Sequence, residues 1–205
     1  MRLLLRSSLL LVVALVGLPS AGCLGGSSPP TKFYALVPAT GRRSQTAQPA
    51  APDRGVTLGV GPVTVPAYLD RPQIVTRRGS DEVDLAEYDR WAEPLVDSIS
   101  RVMAENLAAL LETDRVAIFP WSGSRSIPFQ VTVDLLRFDG PAGGDIVLDA
   151  RWRIVGNDRT ELLVKRSTIT EATSDAGYGV LVAAMSRALA TLSRDIAAGA
   201  SALRR

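Results

Sequence analysis

The 205 residues are 46% hydrophobic and carry 23 basic against 21 acidic side chains, enough apolar material for one packed core and little for a second. Arg2 and Arg6 fall in a segment that reads as a signal peptide. Without them the basic count drops from 23 to 21 and equals the acidic count, so the positive excess of a nucleic-acid binder is missing. Histidine is absent, which removes the commonest general base and metal ligand. The single cysteine, Cys23, excludes an intrachain disulfide and a cysteine-based metal site. No cofactor and no metal are expected. Only Lys32 and Lys165 among the basic residues are lysine. An arginine-rich surface can grip phosphate bidentately, but arginine-favouring codons are the plainer reading.

Residues 1–22 have the layout of an export signal. Arg2 and Arg6 give a positive start, and residues 9–18 form an apolar run of ten, about half of the ~20 residues that a spanning helix needs. Pro19 ends the run, and Ser20, Ala21 and Gly22 lead into Cys23. That is the layout of a lipobox, where a peptidase cuts before a diacylated cysteine, with Ser20 standing where leucine is usual. The alternative is an ordinary signal cut near Ala21 or Gly22, which would leave a lone thiol in an oxidising compartment. Lipidation of Cys23, palmitate included, explains the placement of the residue. Leu24 follows where an aspartate would favour inner-membrane retention, so the expected location is the outer membrane, facing the periplasm. Residues 23–30 then form the lipidated cysteine and a tether of small residues stiffened by Pro29 and Pro30.

Residues 31–205 are expected to form a single α+β domain. Residues 31–37 read as a first strand, and 38–55, rich in Pro, Ala, Gln and Arg, as a flexible loop. Val56, Leu58 and Val60 alternate with small residues, and Pro62 and Pro66 end or edge that strand. Residues 74–77 and 83–85 flank Arg78-Gly79-Ser80-Asp81, a hairpin pattern. Leu95, Ile99, Val102, Met103, Leu107, Leu110 and Leu111 form a helical stripe. Pro94 is tolerable only in the first turn, which sets the start near Ala92 or Glu93. Residues 115–119 read as a short strand. Three longer strands follow, marked by Phe129 to Leu135, Ile146 to Ile154, and Leu162 with Val164, in an antiparallel meander. A last helix spans about 179–198. The predicted fold is a mixed, largely antiparallel sheet with two amphipathic helices packed on one face. The opposite face, with Asp149, Arg151 and Arg153, meets water or a partner.

Most catalytic signatures are missing. No Gly-Lys is followed by Ser or Thr, so there is no P-loop. Gly59-Val60-Gly61 lacks the third glycine of a dinucleotide fingerprint. Gly123-Ser124 is no nucleophile elbow, and no histidine could serve it. Asp81, Glu82, Asp84, Glu87 and Asp89 cluster, and a pair such as Asp81 with Glu87 would be needed by a periplasmic hydrolase. A solvated hairpin rim is the plainer reading. Tyr68, Tyr88, Trp91 and Trp121 could line an acyl-chain groove or simply pack.

Several segments carry a resemblance. They are residues 59–63 (GVGPV), 68–77 (YLDRPQIVTR), 88–95 (YDRWAEPL) and the early 33–36 (FYAL). Through them the chain resembles the ABC-type transport auxiliary lipoproteins over most of its length after the signal. The resemblance implies a non-enzymatic lipoprotein of the outer membrane. Its partners would be an MCE-domain protein with its ABC permease and ATPase, in a system that moves lipid between membranes. It implies no catalytic residues. The motif residues Tyr68, Leu69, Arg71, Pro72, Ile74, Tyr88, Trp91, Pro94 and Leu95 are the candidates for partner contact, with a fold role for Arg71-Pro72 as a turn and Trp91 with Pro94-Leu95 as a helix start. A homo-oligomer through open sheet edges or the Asp149, Arg151 and Arg153 face is a further expectation. An envelope-maintenance or assembly lipoprotein is the rival role.

Overall fold

Buried positions alternate with open ones along residues 146–155, which puts Ile146, Leu148, Ala150, Trp152 and Ile154 on a fully buried face, and the rest of the domain is layered on that strand. The computed structural model describes residues 28–39, 58–121 and 127–203. The readings of the signal peptide, Cys23, the first part of the tether, the loop from residue 40 onward, Val56 and Gly123-Ser124 lie outside the described residues. Thr31–Arg205 makes one compact unit.

In chain order the elements are β1 (Lys32–Tyr34), β2 (Leu58–Thr64), β3 (Gln73–Arg78), β4 (Glu82–Trp91), α1 (Leu95–Leu110), β5 (Val116–Ile118), β6 (Phe129–Asp139), β7 (Ile146–Gly156), β8 (Glu161–Glu171) and α2 (Tyr178–Ala202). β6, β7 and β8 form the predicted antiparallel meander. β2 joins β6 in parallel and carries β5, also parallel, on its other side. Pro62 does not end β2. It sits where the β2–β6 register shifts between Val60 and Val63, so its missing N–H interrupts no regular ladder.

The fold is α+β with largely antiparallel sheets, as expected, but the strands divide into two sheets. The larger has the order β5-β2-β6-β7-β8 and the smaller β1-β4-β3. In the smaller sheet β3 and β4 form the expected hairpin, and β1 lies parallel to β4. The two sheets meet where β6 ends, with the Arg77 N–H donating to the Gly140 carbonyl at 3.0 Å.

Both helices cover one face of the larger sheet, α1 over β2 and β5 and α2 over β7 and β8, and they touch each other. α1 starts at Leu95, later than predicted. Pro94 is its N-cap rather than a first-turn residue, and its carbonyl accepts from the Ser98 N–H at 3.0 Å, so proline's missing donor falls outside the helix. α2 runs four residues past the predicted Ala198, because small residues there still pack on the sheet. The chain after β1 is fixed across the helix pair. Leu36 is buried, the Val37 N–H donates to Ser186 Oγ at 3.2 Å, and the Ala39 N–H donates to Asn106 Oδ1 at 3.0 Å. β1 itself stops at Tyr34 rather than at residue 37, since these donors turn to the helices instead of to β4.

Gly199 allows α2 to lie close on the sheet. A Cβ there would stand 2.7 Å from Leu163 Cδ2 and 3.0 Å from the Trp152 ring. In an open helix, replacing glycine gains up to about 1 kcal/mol; here crowding reverses the sign. Gly199→Val is expected to lower the urea-unfolding stability by about 1–3 kcal/mol. Ala198→Ser, on the exposed side of the same turn, should stay within about 0.5 kcal/mol. Equal effects at both sites would rule out the close approach.

Candidate functional site

The motif segment 68–77 begins in a tight turn. The Leu69 N–H donates to the Pro66 carbonyl at 2.8 Å and the Arg71 N–H to the Leu69 carbonyl at 2.9 Å. Pro72 then offers its carbonyl to the Trp91 N–H at 2.8 Å, which joins the two motif segments side by side. Leu69, Ile74, Trp91 and Leu95 are buried in one core cluster. Their part in the motif is packing: they hold the turn, β3, β4 and α1 together. Pro72 and Pro94 are exposed, and Arg71 and Tyr88 are half-buried. Glu93, between Trp91 and Pro94, takes a 2.7 Å ion pair from Arg101. The same Arg101 donates to the Leu36 carbonyl, so α1 grips the chain after β1. The hydrogen bond from Arg101 to Glu93 holds that carboxyl below its ordinary pKa, with burial opposing it.

Tyr68 leads to the strongest polar site of the described residues. Its hydroxyl donates to Asp139 Oδ2 at 2.6 Å. Arg77 grips the same carboxylate with both prongs, Nε to Oδ1 at 3.0 Å and Nη2 to Oδ2 at 2.9 Å. Arg137 Nε adds a bond to Oδ1 at 2.8 Å. The Arg77 guanidinium stands 5.8 Å from the centre of the Tyr68 ring and also donates to the Ser80 carbonyl. The Asp139 side chain has no solvent exposure. Burial pushes its carboxyl up, and the hydrogen bonds from Arg77, Tyr68 and Arg137 outweigh this and hold it below the ordinary value. Burial and the bond to Asp139 raise the Tyr68 hydroxyl to about 12. A carboxylate held ionised among three donors in this way is a structural clamp and a poor general base. Sequence reading singled out Tyr68 but missed Asp139 and Arg77 as its partners. The available signal was an acid ending an apolar strand, in Phe138-Asp139-Gly140.

A second tyrosine–aspartate pair ties β1 to β4. Tyr34 donates to Asp89 Oδ1 at 2.7 Å, and that bond, with burial, raises the tyrosine hydroxyl to about 12. The remaining acids of the cluster do not all meet at one point. Glu82 and Asp84 pair with Arg78, Asp81 accepts from Ser80, and Glu87 is exposed on β4. The four aromatics considered for a groove also part company. Tyr68 goes to the Asp139 clamp, Trp91 to the core, Tyr88 stays half-buried on β4, and Trp121 stacks edge-on against Phe119 at 5.4 Å. Among the described residues no group of three or more acids or cysteines is placed to hold a metal ion. None of the helices there is long and apolar enough to cross a membrane. On the outer face of the larger sheet Asp149 pairs with Arg166, and Arg153 with Asp134 and Glu161.

Two guanidinium groups stand out by what they lack. Arg71 and Arg90 each have a buried Nε without a hydrogen-bond partner, and neither side chain forms an ion pair among the described residues.

The described residues form a two-sheet α+β domain whose distinctive side chains pack and clamp. Residues 34–197 match the family described as the ABC-type transport auxiliary lipoprotein component, and the chain belongs to it. It is 25% identical over 189 residues to the intermembrane transport lipoprotein PqiC of Escherichia coli (strain K12), an alignment covering 90% of this chain and 96% of that protein. The PqiC of Shigella flexneri matches to the same extent. Among solved structures, an uncharacterised protein superposes with a TM-score of 0.66 at 19% identity, over 83% of this chain and 99% of its own. A protein from Xanthomonas campestris gives 0.63 at 17% identity, over 82% and 93%. These two share the fold.

The clamp sets two expectations. Asp139→Ala leaves the Arg77 and Arg137 charges without their buried partner and should cost about 3–5 kcal/mol, while Tyr68→Phe, losing one bond to a charged group, should cost about 1.5–3 kcal/mol. A carboxyl whose pKa is lowered by folding contributes stability above its unfolded value of about 3.9, and loses it as pH falls through the folded value. Urea unfolding from pH 7 down to pH 2 should therefore show an acid loss in the unsubstituted chain that is weaker in Asp139→Asn. Parallel acid limbs would remove Asp139 as the source.

Proposed function

We propose that the protein is a non-enzymatic, lipid-anchored subunit of an MCE/ABC-type intermembrane lipid transport system. Cys23 carries the lipid, the outer membrane holds it, and the domain faces the periplasm, where it docks the transporter's periplasmic part. The family match over residues 34–197 carries this reading, and the position of Cys23 directly after an export signal supports the anchor. Residues 1–22 would be removed, residues 23–30 would act as the tether, and residues 31–205 would form the single auxiliary domain. No cofactor is needed for such a role.

Partner contact falls to the motif residues with open surface, Pro72, Tyr88 and Pro94, since Leu69, Ile74, Trp91 and Leu95 are spent in the core. A homo-oligomer through the sheet edges, or through the Asp149, Arg151 and Arg153 face, is compatible with this role. β8 offers a long open edge with Leu162 and Val164 exposed.

The test is affinity purification of the tagged full-length chain from native membranes in mild detergent, with mass spectrometry of the eluate and of the N-terminal peptide. The expected result is a diacylated Cys23 and co-elution of an MCE protein or its permease, with Cys23→Ala released into the soluble fraction. Elution with cell-wall or assembly proteins instead would replace the transport role by envelope maintenance. An unmodified thiol would remove the anchor.

A further inference from the structure

The smaller sheet presents a face on which two arginines pair with no acid among the described residues. Phe33 pairs with Arg90 across β1 and β4, and Gln73 pairs with Arg90 across β3 and β4. Directly paired residues share a face, so Phe33, Arg90 and Gln73 form one row across the three strands. The opposite face holds Tyr34 and Trp91, where Trp91 enters the core and Asp89 is taken by Tyr34. Phe33 is 65% exposed. Arg71 lies beside the row, because Pro72, which follows it, bonds to Trp91, which follows Arg90.

Both arginines have a buried Nε with no partner. A buried donor left unmade costs about 1–3 kcal/mol, more when charged, and an unexplained one calls for a missing acceptor. The acid next to Arg71, Asp70, is exposed and pairs with neither arginine among the described residues. The acceptor that suits a guanidinium best is a carboxylate or phosphate, which it meets with two parallel bonds.

We propose that this row, Phe33 with Arg71 and Arg90, rests on an anionic phospholipid headgroup of the membrane that carries the anchor. The inference rests on the lipidation of Cys23 proposed above. The chain length favours lipid over a protein acid. Phe33 stands ten residues after Cys23, so the extended chain between them reaches at most about 36 Å. An exposed phenylalanine beside cations is the composition that settles at a headgroup boundary.

The experiment uses the acylated full-length chain carrying Phe33→Trp, in phosphatidylcholine vesicles with and without phosphatidylglycerol, the acyl chains brominated to quench tryptophan near lipid. The unsubstituted chain, with Trp91 and Trp152 buried and Trp121 half-buried, supplies the background. Added quenching is expected only with phosphatidylglycerol. It should be lost in Arg71→Gln/Arg90→Gln, and lost in the arginine-bearing protein at ~1 M salt, where the Debye length falls to about 3 Å. The salt arm needs no further substitution, so a poorly folding double variant does not leave the question open. Equal quenching in both vesicle types overturns the proposal. So does an arginine-dependent loss of transporter co-elution with no lipid dependence, which would assign the pair to a protein acid. Mass spectrometry of the same preparation separates the cases: an acylated Cys23 without headgroup dependence defeats this inference alone, and an unmodified Cys23 defeats the anchor with it.

Discussion

A carboxylate with no solvent exposure sits at the end of β6, and the division of the chain into two sheets depends on keeping it charged. Transfer of such an ion from water into an apolar interior costs on the order of 20 kcal/mol in the idealised limit, and several kcal/mol in real proteins. Asp139 stays ionised because donors from separate segments reach it. Tyr68 comes from the turn after β2, Arg77 from β3, and Arg137 from β6 itself. Those segments belong to different sheets, so the acid fixes the angle at which the smaller sheet leaves the larger. The Arg77 amide completes the joint through the Gly140 carbonyl. Because each donor satisfies part of one charge, removal of any one raises the cost carried by the others.

The helix layer follows the same logic with weaker groups. Trp152, buried beneath α2, donates its indole N–H to Ser167 Oγ, and that hydroxyl donates to Asp195 on α2. Asn106 of α1 donates to Ser193 of α2 and accepts from Ala39. Each chain of bonds gives a buried polar atom its partner and also sets a register, helix on sheet in one case and helix on helix in the other. Apolar packing alone would tolerate a slide along the interface, since it is non-directional. These few hydrogen bonds select one position.

The parts legible in the sequence were those whose cause is local. β7 shows its period of two because one face is wholly buried, and α1 and α2 show theirs because one stripe is. The hairpin of β3 and β4 was readable from its turn residues. The split into two sheets was not, because it depends on contacts between residues far apart, Tyr68 and Arg77 with Asp139, and no local period encodes them. The start of α1 was misplaced for a related reason: a proline fits both a first turn and the position before it, and the Ser98–Pro94 bond decides. At the site, Tyr68 and Arg71 were visible as unusual residues in a distinctive segment. Whether each was clamped or left without a partner depended on neighbours the pattern could not name.

That distinction separates two kinds of motif residue. Leu69, Ile74, Trp91 and Leu95 are buried together, and a resemblance carried by them reports a shared core before it reports a shared partner. Charge gives the better guide to function. On the outer face of the larger sheet, Arg153 meets Asp134 and Glu161, and Arg166 meets Asp149, so much of the charge there is neutralised within the chain. Exposed pairs of this kind contribute little stability and offer a visiting group little that is unspent. The smaller sheet is the contrary case. Its acid Asp89 is occupied by Tyr34, while the Nε donors of Arg71 and Arg90 have no acceptor among the described residues. A surface that has used its own charges can be a solvated wall, whereas one that retains unpaired donors still has an acceptor to gain. By that argument the smaller sheet, which β1 joins to the N-terminal segment, suits the proposed headgroup contact, and the broad face of the larger sheet is the one that water can cover.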